Sequence, residues 1–223
     1  MLDHPARAFL IDMDGTLLDT ESIDYAATIA AVKSLGYPEI DDIYHALVGL
    51  ATAIWEPVLL KLYDNDFPVK DFYQAYALRR EELIQAGVNL KPGAVEFLRA
   101  LKSSKLRLAI VTSSSRKTAD RLLKLTGLHG YFDLIVTRND VEQSKPSPDL
   151  YLFAAEKFAL PPQDCIAVED SPVGVEAAFA AGVPVFMIPD IVQPSPVTSA
   201  KCVAVLPNLV ALLTQLRSLG VNC

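Results

Sequence analysis

The sequence predicts an α/β protein: a parallel, Rossmann-like sheet flanked by helices, with an all-helical domain inserted after the first strand. From residue 91 onward, apolar strand-like runs alternate with helix-like segments, which is typical of a parallel sheet covered by helices on both faces. Residues 17–88 break this alternation and look helical throughout. The predicted domains are therefore a sheet-containing core of residues 1–16 and 89–223 and a helical cap of residues 17–88.

The predicted strands are short apolar runs, and LRLAIVTS is almost wholly apolar, the pattern of a strand that is buried on both faces. In chain order they are the FLI before Asp12, then LRLAIVTS, FDLIVT, CIAVED, PVFMI and CVAVL. The helices predicted after the insert are KPGAVEFLRALKSS, residues 116–126, SPDLYLFAAEKFAL, SPVGVEAAFAAG and NLVALLTQLRSLG. Ser147 is predicted to cap SPDLYLFAAEKFAL, with Pro148 at its first helical position.

Inside the inserted block, apolar residues at helical spacing predict a helix that ends at Gly36. These residues are Tyr25, Ile29, Val32 and Leu35. Further helices are predicted over residues 54–62 and 71–85. Because the block directly follows Asp12 and Asp14, we expect it to cover them as a lid.

Composition excludes several classes of partner and site. The net charge is −7 and no run of lysines or arginines occurs, which argues against nucleic acid or an anionic membrane as the partner. Cys165, Cys202 and Cys223 lack the spacing of a disulfide framework or a zinc site. No segment approaches the ~20 apolar residues of a membrane span, and no signal peptide is recognisable. We therefore expect a cytoplasmic protein, either a monomer or a weak homodimer.

Polar side chains follow four of the predicted strands. They are Asp12 and Asp14, then Thr112, Ser113 and Ser114, then Lys145 in the loop after the third strand, then Glu169 and Asp170. The carboxyl ends of parallel strands meet at one edge of a sheet, so we expect these groups to converge. Carboxylates suit Mg²⁺, while a lysine, a hydroxyl and helix N-terminal N–H groups suit phosphate. A bound cation would also offset the repulsion between Asp12 and Asp14.

Four motifs carry a resemblance to a known family. DMDGT at 12–16, an apolar run ending in Thr112, SKPSPDLY at 144–151 and VEDSPVGVEAAFAAG at 168–182 resemble, in order, the signature motifs of the haloacid dehalogenase superfamily of phosphotransferases. The resemblance spans residues 8 to about 189. Four motifs in order are far more specific than any one alone. The helical insert is similar to the cap of β-phosphoglucomutase-like and sugar-phosphatase-like members.

The resemblance implies a role for each of these residues. Asp12 would be the nucleophile that becomes an aspartyl phosphate while also binding Mg²⁺. Asp14 would be the general acid/base, with its backbone carbonyl on the metal. The second aspartate also argues against dehalogenation, because dehalogenating members lack it.

The resemblance further implies the ligands of phosphate and metal. Thr112, Lys145 and the backbone N–H of Ser113 would bind phosphate. Asp170 would ligate Mg²⁺ directly, and Glu169 mainly through water. Taken singly, these residues have simpler explanations, since an acid after a strand also caps turns and helix starts.

The predicted reaction is Mg²⁺-dependent hydrolysis of a small phosphorylated metabolite, such as a sugar phosphate. The first alternative is a phosphomutase. Similar mutases carry a histidine at the position of Asp24 and a basic residue after the cap glycine, whereas VGLATAIW at 48–55 has no basic residue after Gly49. The second alternative is a phosphoacceptor domain of the receiver type, which would lack the helical insert.

Overall fold

The computed structural model describes residues 6–40, 43–48, 55–104 and 106–221. The chain divides into two compact units. The sheet unit consists of Met1–Leu18 and Asn89–Cys223, and the helical unit consists of Asp19–Val88. The segment VGLATAIW at 48–55, which has no basic residue after Gly49, lies mostly outside the described residues.

A parallel sheet of six strands forms the centre of the sheet unit, in the order β3-β2-β1-β4-β5-β6. The strands are β1 (Ala8–Ile11), β2 (Arg107–Thr112), β3 (Leu134–Thr137), β4 (Cys165–Glu169), β5 (Val185–Met187) and β6 (Ala204–Val205). Ile11 of β1 pairs with Ile110 of β2 on one side and with Val168 of β4 on the other. These three neighbouring strands therefore end at about the same level, and the predicted fold class is confirmed.

Ten helices occur in the described residues. They are α1 (Thr20–Ser34), α2 (Ile43–Leu47), α3 (Trp55–Leu62), α4 (Val69–Ala86), α5 (Ala94–Ser103), α6 (Arg116–Leu125), α7 (Asp149–Lys157), α8 (Pro172–Ala180), α9 (Pro196–Lys201) and α10 (Leu209–Ser218). None of them has both the length and the apolar character needed to cross a membrane. The short helices α2 and α9 were absent from the sequence-based prediction.

Side-chain caps fix where several helices of the sheet unit begin. The Ser171 hydroxyl accepts a hydrogen bond from the Gly174 N–H, with Pro172 at the first position of α8. The predicted cap at Ser147 is wrong. Helix α7 begins at Asp149, preceded by Pro148, and the Ser147 hydroxyl instead donates to the Asp149 carboxylate at 2.7 Å.

The helical unit has an apolar core of its own. Its buried members are Ala31, Val32, Ile43, Leu47, Trp55, Leu59, Phe67 and Phe72. The predicted stripe on α1 is correct for Val32, and Ile29 and Leu35 pack against the same core. It is wrong for Tyr25, which is 41% exposed and meets the Tyr44 ring edge-on.

Candidate active site

The loop that leaves β1 is wound tightly around Gly15. The Asp12 N–H donates to the Val168 carbonyl at 3.0 Å, so sheet pairing continues one residue beyond the strand. Gly15 has a φ of +77°, and a Cβ at this position would lie 2.3 Å from Oδ2 of Asp170. Glycine is required here for both reasons. The loop from β1 and the loop from β4 are thereby in direct contact.

Lys145 joins three strand ends through its ammonium group. Its Nζ lies 2.6 Å from Oδ1 of Asp12, 2.6 Å from Oε1 of Glu169 and 2.8 Å from the Val111 carbonyl. All three ammonium protons therefore have an acceptor. The Lys145 side chain is only 5% exposed, so these contacts are made away from bulk water.

Burial and charge act in opposite directions on the pKa values of this pair. Burial raises the pKa of the Asp12 carboxyl well above its ordinary value; Lys145 opposes this, while Glu169 and Asp14 add to it. Burial by itself lowers the pKa of Lys145, but the carboxylates of Asp12 and Glu169 outweigh it, so that this pKa is raised. Lys145 is therefore a permanent cation, whereas the ionisation of Asp12 depends on further positive charge nearby.

Asp14 is hydrogen-bonded to the end of β2. Its Oδ2 accepts from the Thr112 hydroxyl at 3.2 Å and from the Ser114 hydroxyl at 2.8 Å. The Ser114 N–H in turn donates to the Thr112 hydroxyl at 3.0 Å. Oδ1 of Asp14 is buried and has no hydrogen-bond partner among the described residues. One carboxylate oxygen is thus fixed in place while the other stays available.

Three carboxylates meet where β1 and β4 end. One oxygen each of Asp12, Glu169 and Asp170 lie within 4.8 Å of one another, and the Thr16 hydroxyl donates to Oδ1 of Asp170 at 3.4 Å. Oε2 of Glu169 is buried without a hydrogen-bond partner among the described residues. When all three carboxylates are ionised, they outnumber the single ammonium, that of Lys145, which lies against Asp12 and Glu169.

This donor set fits a hard divalent cation. Carboxylate oxygens are the ligands that Mg²⁺ takes in proteins, and the three carboxylates carry more negative charge than Lys145 alone can offset. A bound cation would also favour the ionised form of Asp12, against the effect of its burial. The residues present are therefore compatible with Mg²⁺.

Six of the seven predicted site residues are brought together by side-chain contacts. They are Asp12, Asp14, Thr112, Lys145, Glu169 and Asp170. The exception is Ser113, whose exposed side chain accepts a hydrogen bond from the Ser144 hydroxyl at 2.9 Å. The role predicted for Ser113 concerned its backbone N–H, and it stays a prediction.

Sequence reasoning assigned no role to several residues at this edge of the sheet. Ser114 was expected among the polar residues after the second strand, and Tyr151 was part of a quoted motif, but neither received a role. Asp190 follows β5; its Oδ1 pairs with Lys91 Nζ at 2.7 Å, and its Oδ2 is buried without a partner among the described residues. Listing the polar residues after the fifth strand, as was done for the first four, would have found Asp190.

Comparison with known proteins agrees with this geometry. The sequence profile of the haloacid dehalogenase-like hydrolases matches residues 6–182. A "Phosphorylated carbohydrates phosphatase" of Thermotoga maritima is 30% identical over 177 residues, covering 79% of this chain and 82% of the relative. Protein CbbY of Rhodobacter capsulatus is 36% identical over 196 residues, covering 82% of this chain and 85% of the relative.

A solved structure extends the similarity over nearly the whole chain. The crystal structure of a HAD family hydrolase from Deinococcus radiodurans, with bound phosphate and sodium, superimposes with a TM-score of 0.84 at 28% identity. The match covers 99% of this chain and 99% of that chain. The predicted enzyme class, a phosphatase of this family, is thereby confirmed. The chain belongs to the haloacid dehalogenase-like hydrolases.

Proposed function

We propose that this hydrolase is a Mg²⁺-dependent phosphatase that acts on a small phosphorylated metabolite through an aspartyl-phosphate intermediate. The observation that carries the proposal is the buried cluster of Asp12, Lys145, Glu169 and Asp170, in which three carboxylates converge and an ammonium lies against two of them. Such a cluster is costly to bury without a ligand, because its negative charge exceeds its positive charge. A divalent cation and a phosphoryl group together complete it.

Asp12, Asp170 and the backbone carbonyl of Asp14 are the proposed ligands of Mg²⁺, with Glu169 mainly acting through water. When bound, the ion reduces the repulsion between an anionic nucleophile and an anionic phosphate. Lys145, the Thr112 hydroxyl and the Ser113 backbone N–H are the proposed donors to the phosphoryl oxygens. The Thr112 hydroxyl donates a hydrogen bond to Asp14 in this structure. With substrate bound, it would donate to a phosphoryl oxygen instead.

In the first step, a carboxylate oxygen of Asp12 forms a bond to phosphorus while the bond from phosphorus to the leaving oxygen breaks. Asp14 gives its proton to that leaving oxygen, which departs as an alcohol. In the second step, Asp14 takes a proton from water as the water oxygen attacks phosphorus. Inorganic phosphate is released and the Asp12 carboxylate is restored. The unpartnered Oδ1 of Asp14 supports this role, since it is free to carry the proton.

The proposed final acceptor is water rather than a second hydroxyl of the substrate. A mutase would need a proton-transferring group in the helical unit, and similar mutases carry a histidine where this chain has Asp24. Asp24 instead forms an ion pair with Arg80. This pairing favours hydrolysis over mutase chemistry.

The helical unit is the proposed lid that excludes bulk water during transfer. A sugar phosphate is the proposed substrate class, since a relative is named for phosphorylated carbohydrates.

The test is phosphate release from a panel of sugar phosphates, polyol phosphates, nucleotides and phosphoglycolate, with Mg²⁺ and with a chelator. We expect Mg²⁺-dependent turnover by the native protein and its loss in Asp12→Asn. Asp120→Asn, on α6 and outside the cluster, is the matched control and should keep full activity.

Three results would contradict the proposal. Appreciable turnover by Asp12→Asn would exclude the aspartyl nucleophile. An isomerised product without free phosphate would indicate a mutase. A stable aspartyl phosphate without turnover would indicate a phosphoacceptor domain.

A further inference from the structure

Tyr151 connects helix α7 to the proposed metal cluster. It is among the largest fully buried side chains of the described residues, and its hydroxyl donates a hydrogen bond to Oε1 of Glu169. The centre of its ring also lies 5.5 Å from Lys145 Nζ. One phenol thus contacts both the carboxylate and the ammonium that Asp12 depends on. A buried hydroxyl usually has such a partner, so the bond alone would be explained by packing.

Gly174, on helix α8, closes the opposite side of the same carboxylate. A Cβ at this position would lie 1.9 Å from Oε2 of Glu169 and 2.0 Å from its carboxyl carbon. No other residue fits there unless Glu169 moves. The Glu169 carboxylate therefore lies in a slot bounded by the Tyr151 hydroxyl, Lys145 Nζ and the Cα of Gly174.

The two oxygens of Glu169 are treated differently within this slot. Oε1 accepts from both Tyr151 and Lys145, whereas Oε2 has no hydrogen-bond partner among the described residues. Two donors on one oxygen fix the rotation of the carboxyl group. If that rotation were lost, Lys145 would be drawn after the moving charge and its 2.6 Å contact with Asp12 would loosen.

We propose that Tyr151 and Gly174 are positioning residues that hold Glu169, and through it Lys145 and Asp12, in the arrangement that receives the cation. The inference rests on the proposed function, because it assigns these two residues to the same metal site. Partners that orient metal-binding carboxylates commonly change metal affinity when they are replaced. Neither residue touches the phosphoryl group in this proposal.

The first experiment is calorimetric titration of the substrate-free protein with MgCl₂. Tyr151→Phe keeps the ring and its contact with Lys145 and removes only the hydroxyl. We expect it to weaken Mg²⁺ binding about tenfold, at the low end of the range for such partners. Tyr44→Phe is the matched control, since the buried Tyr44 hydroxyl also donates to a glutamate, Glu21, but within the helical unit. It should leave Mg²⁺ affinity unchanged.

A double-mutant cycle tests whether the effect passes through Glu169. In a Glu169→Gln background, Tyr151→Phe should change Mg²⁺ affinity by less than about twofold. Gly174→Ala should weaken Mg²⁺ binding as well, and thermal unfolding identifies whether that variant is folded. A lower melting temperature without a change in Mg²⁺ affinity would mark a purely structural role.

The inference is overturned if Tyr151→Phe binds Mg²⁺ as tightly as the native protein or more tightly. It is also overturned if the loss is the same in the Glu169→Gln background. These results differ from a failure of the proposed function, in which the native protein itself neither binds Mg²⁺ nor releases phosphate.

Discussion

The two units of the chain bury acidic side chains in different ways. In the sheet unit, Glu169 is fully buried and shares Lys145 with Asp12. In the helical unit, Asp24 pairs with Arg80, but both side chains remain more than a fifth exposed. An acid that keeps contact with water is already solvated, whereas a fully buried one must be neutralised from within. The comparison supports the proposal that the buried acids Asp12 and Glu169 bind a ligand.

The largest effect is expected from removing the cation of each unit in turn. Lys145→Met leaves Asp12 and Glu169 facing each other in a buried site, and should lower the free energy of unfolding by about 3–5 kcal/mol. Arg80→Met leaves the partly exposed Asp24, and should lower it by about 1 kcal/mol or less. Urea unfolding, with amide hydrogen exchange to separate the units, measures both.

Mg²⁺ offers a control for this pair of variants. It should recover part of the stability of Lys145→Met, since the ion supplies positive charge to the same carboxylates, and should leave Arg80→Met unchanged. Equal losses for the two variants would mean that burial does not distinguish the units.

The ion pair of Lys91 and Asp190, after β5, is about as exposed as that of Asp24 and Arg80. We expect a smaller effect here than for Lys145→Met. The side chains of Lys91 and Asp190 are 20% and 17% exposed, and Oδ2 of Asp190 lies 3.5 Å from where a Cβ of Gly15 would be. The backbone N–H of Lys91 also donates to the Leu17 carbonyl at 2.9 Å. The pair therefore fixes the chain segment that returns to the sheet beside the β1 loop.

Lys91→Met should lower the free energy of unfolding by about 1 kcal/mol, close to the value for Arg80→Met, because the two ion pairs are about equally exposed. Lys102→Met is its control, because Lys102 pairs with Asp133 at the same 2.7 Å but with both side chains about two-fifths exposed. That variant should differ from the native protein by less than about 0.5 kcal/mol. If Lys102→Met lowers the free energy of unfolding as much as Lys91→Met does, solvent exposure does not determine the contribution of these ion pairs.

The parts of the structure that could be predicted from the sequence are those with a local sequence signal. The strands of the sheet unit are apolar runs that end in polar residues, and both signals are local. Helices α2 and α9 span five and six residues, too few for a periodic pattern to show. On α1, the buried face includes Ala27, Thr28 and Ala31, small residues that let α4 pack close. A prediction of the buried face that considers only large apolar residues therefore includes Tyr25, which is exposed.

The residues of the candidate site also differ in whether they could be predicted from the sequence. Asp12 and Asp170 could be predicted because each lies where a strand has just ended, and Lys145 because it belongs to the motif SKPSPDLY in the loop after β3. Tyr151 lies inside a helix, three residues after Pro148, and its sequence reads as part of an apolar face. Its contact with Glu169 depends on how α7 packs against the sheet, which no local pattern records. Gly174 likewise looks like an ordinary small residue until the Glu169 carboxylate is placed beside it.

An effect smaller than that of Lys91→Met is expected at Asp140, which belongs to the sheet unit but keeps contact with solvent. Its Oδ2 accepts from the Thr137 N–H, the Thr137 hydroxyl and Arg116, each at 2.8 Å. Burial by itself raises the pKa of Asp140, but these hydrogen bonds and the Arg116 charge outweigh it, so the pKa is lowered. The stability contributed by its ionised form is therefore present above the unfolded-chain pKa of about 3.9 and is lost as the pH falls through the lower folded-state value.

Asp140→Asn should thus cost about 0.5–1 kcal/mol at pH 7, because an amide oxygen still accepts from Thr137 while the charge facing Arg116 is gone. The difference between the native protein and the variant should shrink below pH 4, as measured by urea unfolding across a pH series. A difference that persists in acid would mean that Asp140 contributes through packing rather than charge. A loss of stability as large as that of Lys145→Met would contradict the comparison of buried and partly exposed acids. The loss would then depend on the unit in which an acid lies and not on its burial.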